Sequence, residues 1–280
     1  MSRITPSRVL MTILRGVIVI VMLFVTLLPL AFMVATAFKT NSEILVFPPT
    51  LWPASPTLQH FIDIFSSDGT WTFFRNSLIA TIVSTLLTIC FAIPAAYALA
   101  SHRFPGDAGR AIGLGVLMLR FLPPFAIVVP LFIMLRGFGM LDSVGALILV
   151  YTAFHLPLAI WIIQPAVAQI PKEIGEAAAV DGNGVVGTLW RVILPLLRPS
   201  VATAAAFCTI FSWNEFFFAL VFTSTRARTY PILINSYVSD SGPDWGAIAA
   251  TSLLAVLPII VLVVVLQRQL VGGLTAGAIR

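Results

Sequence analysis

Long apolar runs separated by short polar stretches dominate the sequence. The most prominent of these runs lie at about 16–38, 76–101, 111–135, 143–170, 200–224 and 245–266. Each reaches the roughly 20 residues that a helix needs to cross a bilayer, and a helix satisfies its own backbone hydrogen bonds where lipid cannot. The pattern therefore predicts an all-α integral membrane protein, with six transmembrane helices in a single domain over residues 1–280.

The first run and the prolines refine this prediction. Residues 16–38 carry no charge, and the run is longer than the 7–15 apolar residues of a cleaved signal peptide, so we expect a retained first span. Prolines inside the runs predict kinks, which membrane helices tolerate: Pro29, Pro94, Pro123, Pro124, Pro130, Pro157 and Pro258. The adjacent Pro123 and Pro124 predict a local break that places the third span beside a cavity.

The basic residues indicate how the spans are oriented. If the N-terminus is cytoplasmic, the inner segments hold Arg3, Arg8, Arg15, Arg103, Arg110, Lys172, Arg191, Arg198, Arg268 and Arg280. The outer segments then hold only Lys39, Arg75, Arg136, Arg226 and Arg228, and Arg120 lies within a span. An inner excess of Lys and Arg is what the positive-inside rule requires. We therefore expect both termini, and the segment between the fourth and fifth spans, in the cytoplasm.

Composition agrees with a membrane protein and excludes several functions. The chain is 59% hydrophobic and 10% charged, with a mean hydropathy of +1.02, whereas soluble domains carry about 25% charged residues. The net charge of +5 follows from the inner basic residues and predicts no nucleic-acid partner. Cys90 and Cys208 lie inside apolar runs and form no metal-ligand pattern, so we expect no metal site.

The sequence also predicts that this chain is not an enzyme. Its only lysines are Lys39 and Lys172, and neither lies in a G-x-x-x-x-G-K-[ST] phosphate loop. No HExxH is present, and no set of nucleophile, base and orienting residue can be named. Energy for any active transport must come from another subunit or from an ion gradient.

A short polar stretch, EIGEAAAVDG at residues 173–182, interrupts the apolar pattern. Pro171 suits a first helical turn, Glu173 and Glu176 suit the positive end of the helix dipole, and Gly182 suits a terminator, which predicts a helix over about 172–181. The alanines between give it a low-profile surface. An interfacial helix without a partner is the alternative interpretation. The following TLWRVILPLLRP predicts an amphipathic segment that Pro195 and Pro199 break before the next span.

The spacing of this stretch resembles the EAA loop of ABC-importer permeases. In that pattern E-A-A is followed by a glycine after three residues, and then by I-x-L-P after nine more. Here Glu176, Ala177 and Ala178 precede Gly182 by the expected distance, and residues 183–191 precede Val192-Ile193-Leu194-Pro195. The one departure is Val192, which keeps the apolar character of the isoleucine.

The rest of the chain resembles the sugar branch of these permeases, the maltose-permease-like importers. The matching segments are Asn76-Ser77-Leu78, Ala95-Ala96-Tyr97-Ala98-Leu99, Leu156-Pro157, Trp213-Asn214-Glu215 and the tail Gly272-Gly273-Leu274-Thr275-Ala276-Gly277-Ala278. The resemblance implies the type I ABC-importer permease fold, in a multi-pass protein of a bacterial or archaeal cytoplasmic (inner) membrane.

The resemblance also implies partners and a role. The chain would pair with a second permease, with two ATPase subunits or a dimer of one, and with an extracytoplasmic solute-binding protein, and it would itself contact membrane lipid. ATP and Mg would be bound by the ATPase, so this chain needs no cofactor of its own. The implied solute is a carbohydrate or a related polyol.

Two sets of candidate residues follow. The residues expected to couple to the ATPase, within the loop at about 171–198, are Glu176, Ala177, Ala178, Asp181, Gly182, Leu194 and Pro195. The residues expected along the translocation path are Arg120, Asn76, Trp213, Asn214 and Glu215, because charges within a span are costly and because aromatic and planar polar groups suit a polyhydroxylated solute.

Alternatives remain for several of these residues and for the function. Arg120 and Glu215 could form a structural ion pair, Asn76 could cap the second helix, and His155 is expected to be a hydrogen-bonded core residue. The solute could be an amino acid, a peptide or a phosphorylated polyol. An ion-coupled secondary transporter, with an intramembrane carboxylate as its ion site, and a membrane scaffold that transports nothing are further alternatives.

Overall fold

The computed structural model describes residues 6–67, 69–101, 108–240 and 242–275. In chain order its α-helices are α1 (Pro6–Ala37), α2 (Asn41–Ile44), α3 (Gln59–Ser66), α4 (Thr70–Ser101), α5 (Ala108–Met118), α6 (Pro124–Gly137), α7 (Val144–Ala168), α8 (Lys172–Val180), α9 (Val185–Gly187), α10 (Leu194–Trp213), α11 (Phe217–Phe222), α12 (Tyr230–Ser236) and α13 (Trp245–Thr275). A 3₁₀ turn over Leu119–Phe121 follows α5, and a π-helix over Thr188–Ile193 joins α9 to α10. Strands β1 (Val238–Ser239) and β2 (Gly242–Pro243) pair antiparallel.

Within these described residues, five helical segments are long and apolar enough to cross a membrane. They are Met11–Ala37, Thr70–Ala100, Val144–Ala168, Val185–Trp213 and Trp245–Gln267. A sixth candidate consists of two helices, Ala111–Phe121 and Pro124–Gly137, whose axes differ by 85°. The predicted all-α membrane class is confirmed. The orientation of the termini stays a prediction, and Arg3, Arg103, Arg280 and the tail residues 276–278 lie outside the described residues.

The break in the third span lies at the two prolines. Leu122 and Pro123 have extended backbone angles, with ψ of 123° and 132°, and α6 begins at Pro124. A proline disfavours helical angles in the residue before it and supplies no N–H to the preceding turn. Two in succession therefore end one helix and start another in a new direction.

Other boundaries differ from the predicted ones. The helix of the second span begins at Thr70, before the predicted residue 76, and the helix of the fifth span ends at Trp213, before the predicted residue 224. The predicted break at Pro195 and Pro199 is wrong, because α10 continues through both prolines. Pro195 comes shortly after the π-helix over Thr188–Ile193, which runs on into α10.

The contacts of the chain group into two compact units, where the sequence predicts one domain. One unit comprises residues 1–68 with 234–256, and the other comprises 69–233 with 257–280. In the first unit, His60 is buried and its Nε2 lies 2.8 Å from the carbonyl of Lys39. The imidazole covers Gly246, where any side chain would collide with the ring.

In the second unit, α7 is the central helix. Around its first half pack Leu135, Phe218, Phe222 and Ile232, and around its second half pack Ile93, Leu189, Ile193 and Leu197. Fully buried alanines, such as Ala92 and Ala159, allow close helix packing, as small residues do in membranes.

Hydroxyl groups connect α4, α7 and α10 between these two apolar clusters. Ser84 of α4 lies 3.3 Å from Ser212 of α10 (Oγ–Oγ), and the Thr152 hydroxyl of α7 donates to the Ser84 carbonyl at 3.4 Å and to the Ile148 carbonyl at 2.7 Å. Thr85 and Thr209 make a similar contact at 3.4 Å. Such bonds between membrane helices contribute about 0.6 kcal/mol each.

Candidate functional site

The predicted polar helix is α8, and it ends as its sequence requires. Asp181 N–H donates to the Ala177 carbonyl at 3.0 Å and Gly182 N–H to the Ala179 carbonyl at 3.1 Å. Gly182 has φ +82°, a conformation that glycine adopts without steric cost. The chain then leaves the helix, and Asn183 N–H closes the turn on the Ala178 carbonyl at 3.0 Å.

The two alanines of the EAA sequence point in different directions. Ala178 is only 4% exposed, whereas Glu176 and Ala177 are exposed. Among the other predicted coupling residues, Asp181, Gly182 and Pro195 are exposed and Leu194 is half-buried. Direct contact with an ATPase is therefore not open to the Ala178 side chain, because this chain covers it. The predicted contact falls on Glu176 and Ala177.

A cavity of about 410 Å³ lies beside α8. Lys172, Gly175, Glu176 and Ala179 form its helical wall, and their spacing of three or four residues places them on one face of the helix. The opposite walls come from α4, the end of α7 and the π-helix, through Tyr97, Ala100, Val167, Ile170, Thr188 and Ile193. Glu176 therefore lies at a concave surface, while Ala177 is exposed outside it.

The π-helix connects α8 to the interior of the second unit. Leu189 and Ile193 are buried in the cluster around the second half of α7, and Leu194 N–H bonds the Leu189 carbonyl across the wide turn. The chain then continues into α10 without interruption. A displacement of α8 can therefore be transmitted to α10 through a continuous, packed connection.

Arg120, predicted for the translocation path, lies in the 3₁₀ turn before the proline break. Its Nη1 donates to the Phe154 carbonyl at 3.2 Å and lies 3.0 Å from His155 Nδ1. The guanidinium carbon is 5.3 Å from the ring centroid of Phe154 and 4.7 Å from that of Phe211, within the range of cation–π attraction. His155 is 3% exposed, which confirms the expected hydrogen-bonded core residue.

Glu215 has different partners, so the alternative of an Arg120–Glu215 ion pair is wrong for the structure described. Its carboxylate accepts the N–H groups of Phe218 at 2.9 Å and Ala219 at 3.2 Å. These are donors that the start of a helix leaves unpaired. Glu215 therefore caps α11 after the break that ends α10.

The other predicted path residues divide into buried and exposed groups. Trp213 is 4% exposed and its ring packs 5.7 Å from Phe74 and 6.3 Å from Tyr230. Asn76 is 2% exposed and lies inside α4, so the alternative of a helix cap is wrong. Asn214 is exposed, and its Nδ2 donates to the Ile210 carbonyl at 2.7 Å. Contact with a solute stays a prediction, since Asn214 is exposed and Arg120 and Glu215 are half-buried.

The structure adds one residue that the sequence analysis missed. Asp142, in the link between α6 and α7, accepts the backbone N–H groups of Ser224, Thr225, Arg226 and Ala227 at 3.0–3.2 Å. It also accepts the Thr225 hydroxyl at 2.9 Å, and its own N–H donates to the Phe222 carbonyl at 2.8 Å. Its backbone φ of +55° is uncommon for a residue other than glycine. No pattern in the sequence indicated this conformation.

The ring of donors determines the charge state of Asp142. Partial burial alone would raise the pKa of this carboxyl group, but the N–H groups of Ser224, Arg226 and Ala227 and the Thr225 hydroxyl lower it well below the usual range. Hydrogen bonds to the charged form favour that form. Asp142 is therefore a carboxylate at every physiological pH.

The start of α4 holds the same loop from another side. Asn76 Nδ2 donates to the carbonyl groups of Arg226 at 2.8 Å and Arg228 at 3.0 Å. Ser77 Oγ accepts the N–H of Tyr230 at 2.7 Å. The segment 223–230 is thus tied to α4 and to the α6–α7 link, and we call it the latched loop.

The latched loop and α8 lie at opposite ends of α7. Asp142 precedes the first residue of α7, and Val167, near its last residue, lines the cavity beside α8. The 25 residues of α7 correspond to about 37 Å of helix, which exceeds the roughly 30 Å of bilayer hydrocarbon. The helix α7 is therefore long enough to place the two features on opposite sides of a membrane.

In the second unit, α4, α7 and α10 pack together as helices long enough to span a membrane, with the polar helix α8 at one end and the broken third span beside them. Residues 89–275 match the family described as binding-protein-dependent transport system inner membrane component, and the chain belongs to that family. It is a multi-pass inner-membrane permease subunit of an ABC importer and is not catalytic. Membership in this family argues against the ion-coupled transporter and the scaffold.

Several relatives align along nearly the whole chain. The diacetylchitobiose uptake system permease protein DasC of Streptomyces coelicolor is 37% identical, over 93% of this chain and 94% of its own. The sulfoquinovosyl glycerol transport system permease protein SmoH of Agrobacterium fabrum is 34% identical, over 95% and 93%. The trehalose/maltose transport system permease protein MalG of Thermococcus litoralis is 34% identical, over 93% and 94%.

Solved structures show the same fold. A chain in the crystal structure of a bacterial ABC transporter involved in the import of the acidic polysaccharide alginate has a TM-score of 0.80. The alignment covers 96% of this chain and 99% of that chain, at 20% identity. The predicted ABC-importer permease fold is therefore confirmed.

Proposed function

We propose that this chain is the permease subunit through which an ATP-driven importer moves a carbohydrate or a related polyol into the cell. It works with a second permease, two ATPase subunits that bind ATP and Mg, and an extracytoplasmic solute-binding protein. The observation that carries the proposal is the exposed Glu176–Ala177 surface of α8, in a chain whose relatives transport diacetylchitobiose, trehalose and maltose.

The local structure suits mechanical coupling. Ala178 packs against the rest of its own chain while Ala177 and Glu176 face outward, so α8 is held on one side and available on the other. An ATPase that binds the exposed surface of Glu176 and Ala177 would move α8, and the π-helix and α10 would move with it. Glu176 can add a charge-assisted hydrogen bond to a basic group of the ATPase, stronger than a neutral one.

Site-specific crosslinking tests the coupling surface. We expect cysteine at Ala177 to crosslink to the ATPase in the intact complex, because its side chain is exposed. Cysteine at Ala178 is the matched control and should not react, because that position is buried. Crosslinking at neither position, with the complex intact, would contradict coupling through α8.

Reconstituted transport tests the solute class. In vesicles that contain both permeases and the ATPase, we expect uptake that requires ATP and the binding protein, and that discriminates within a panel of sugars and polyols. A response to an amino acid, a peptide or a phosphorylated polyol, with none to neutral sugars, would assign a different solute to the same architecture. Uptake without ATP would overturn the proposal.

A further inference from the structure

The connection that follows α1 carries large apolar side chains on its surface. Residues 45–53 read LVFPPTLWP, and we call them the apolar loop. The side chains of Leu45, Phe47 and Trp52 are exposed, and that of Phe47 is 92% exposed. A contiguous exposed apolar patch indicates a contact with a membrane or with another protein.

The apolar loop folds back along α1. Together they form an apolar cavity of about 390 Å³, which is lined by Leu28, Pro29, Phe32, Pro49 and Leu51. The helix α1 ends at Ala37. At a rise of 1.5 Å per residue, Phe32 and Leu28 lie about 8 Å and about 13 Å before that end. The loop therefore descends beside the last turns of the first span.

The depth of the cavity matches that of the lipid acyl chains. The first span, Met11–Ala37, has 27 residues, which correspond to about 40 Å of helix. The hydrocarbon of a bilayer is about 30 Å thick, so a centred span extends about 5 Å beyond it at each end. The stretch from Leu28 to Phe32 then lies inside the hydrocarbon. Residues 11–32 are exposed, and the cavity continues the apolar surface that they form.

The backbone of the apolar loop suits a setting without water. In hydrocarbon, each backbone N–H and carbonyl group needs a partner within the protein. Pro48, Pro49 and Pro53 have no N–H that would need one. Prolines at these positions therefore lower the cost of placing an irregular segment beside a membrane helix.

Two charged side chains bind further backbone groups of this segment. Lys39 is buried, and its ammonium group donates to the carbonyl of Thr50. One carboxylate oxygen of Glu43 accepts the N–H of Ala54 at 2.6 Å, directly after the loop. Lys39 Nζ also lies 5.5 Å from the ring centroid of Phe32, within the range of cation–π attraction. Both charges are thus used inside the segment, and its outward surface stays apolar.

We propose that the apolar loop is re-entrant, dipping into the membrane beside α1, and that the cavity between them holds an acyl chain of a membrane phospholipid. The lining selects a hydrocarbon chain, because apolar cavities of about 150 Å³ already exclude water and take benzene. The proposal goes beyond the importer function and does not depend on it, since it uses only the place of α1 in the membrane.

Nitroxide labels measure the depth of the loop in the whole complex in nanodiscs. In complexes without native cysteines, we expect a label on Phe47→Cys to collide with oxygen and to be protected from a water-soluble nickel chelate. The ratio of the two collision rates should exceed that of Ser42→Cys about fivefold, because apolar oxygen concentrates in hydrocarbon. Ser42 is the matched control, since it is exposed and precedes the apolar loop.

A phospholipid with a photoreactive diazirine in its acyl chain tests the cavity. We expect it to label the residues that line the cavity, as mapped by mass spectrometry. Leu51→Trp should reduce this labelling about fivefold, because a filled space admits no further group. Leu51→Ala, which enlarges the space, should retain it. Labelling of Phe24, exposed elsewhere on α1, is the internal control and should be equal in all three proteins.

Three results would overturn the proposal. Equal nickel collision rates at Phe47→Cys and Ser42→Cys would place the loop in water. Protection of the Phe47→Cys label from both oxygen and nickel would show that a partner chain covers the loop. Equal labelling of the lining in the wild type and Leu51→Trp would show that no acyl chain occupies the cavity. None of these results bears on solute transport, so the importer function would stand.

Discussion

Asp142 illustrates how one carboxylate can organise a loop that lies 82 to 85 residues away in sequence. The donors around it hold its pKa below the usual value of about 3.9. A group whose pKa is lower in the folded state stabilises the fold above its unfolded pKa, and that stability is lost as pH falls through the folded pKa. The latched loop is therefore expected to stay in place throughout the range in which bacteria grow.

This linkage gives a pH prediction. We expect the difference in melting temperature between the wild type and Asp142→Asn to be constant from about pH 5 to pH 8. Below about pH 4 the difference should shrink, because the unfolded wild-type chain takes up a proton at Asp142 while the folded carboxylate, whose pKa is lowered, stays ionised. Thermal unfolding in detergent across pH measures it. A difference that grew as the pH fell would show that Asp142 is protonated in the folded protein.

The two neighbouring alanines of α8 give a second prediction. Ala178→Leu should destabilise the fold by about 1–3 kcal/mol, because a buried site is overfilled. Ala177→Leu should leave the melting temperature unchanged and reduce ATP-driven uptake, because the added bulk lies on the exposed surface. Unfolding and uptake measured on both variants separate the effects. Equal melting temperatures for the two would contradict the burial of Ala178.

At the scale of single residues, the sequence identified the polar residues of the spans but did not predict their hydrogen-bond partners. Arg120 and Glu215 attract attention because charges are rare within spans, yet one bonds a histidine and the other caps a helix. Asn76 looks like a cap because it follows a polar segment, and only the fold shows that its partners are the carbonyl groups of Arg226 and Arg228. Asp142 was missed because its partners are distant in sequence.

At the scale of elements, hydrophobic runs predict helices but not all of their ends. The sequence locates α7 and α8 closely, since the predicted run 143–170 begins at Ser143, which caps α7 in the structure, and Pro171 and Gly182 bound α8. It misplaces the start of α4, because the mixed polar and aromatic residues 70–75 before Asn76 are also helical. The 85° turn of the third span also exceeds the kink that a proline alone implies, because two prolines act together.

The double proline can be tested as an element. Replacing both Pro123 and Pro124 with leucine should allow one helix to run through the break, because both missing N–H donors return. Spin labels at the exposed Ile112 and Ile133 should then separate to about 31 Å, the length of 21 helical residues. The wild-type protein should give a shorter distance, since its two helices are at an angle. An unchanged distance would show that neighbouring helices impose the turn.

At the scale of the whole molecule, the separation of the latched loop from α8 predicts which residues reach each side of the membrane. In a background without Cys90 and Cys208, cysteine at Ser224 should react with a membrane-impermeant maleimide in intact cells. Cysteine at Glu173 should react only after the membrane is opened. Both positions are exposed, so the difference reports orientation. The reverse pattern would place both termini outside and would contradict the basic-residue argument.

The hydroxyl contacts among α4, α7 and α10 have a consequence for motion. Thr152 and Thr209 already donate to carbonyl groups of their own helices, at 2.7 Å and 2.8 Å, so their contacts with Ser84 and Thr85 are secondary. If the helices slide past one another, each hydroxyl keeps one bond and exchanges the other, and no polar group is stranded in an apolar setting. In the middle of this unit, a relative displacement of α4, α7 and α10 therefore costs little free energy in hydrogen bonds.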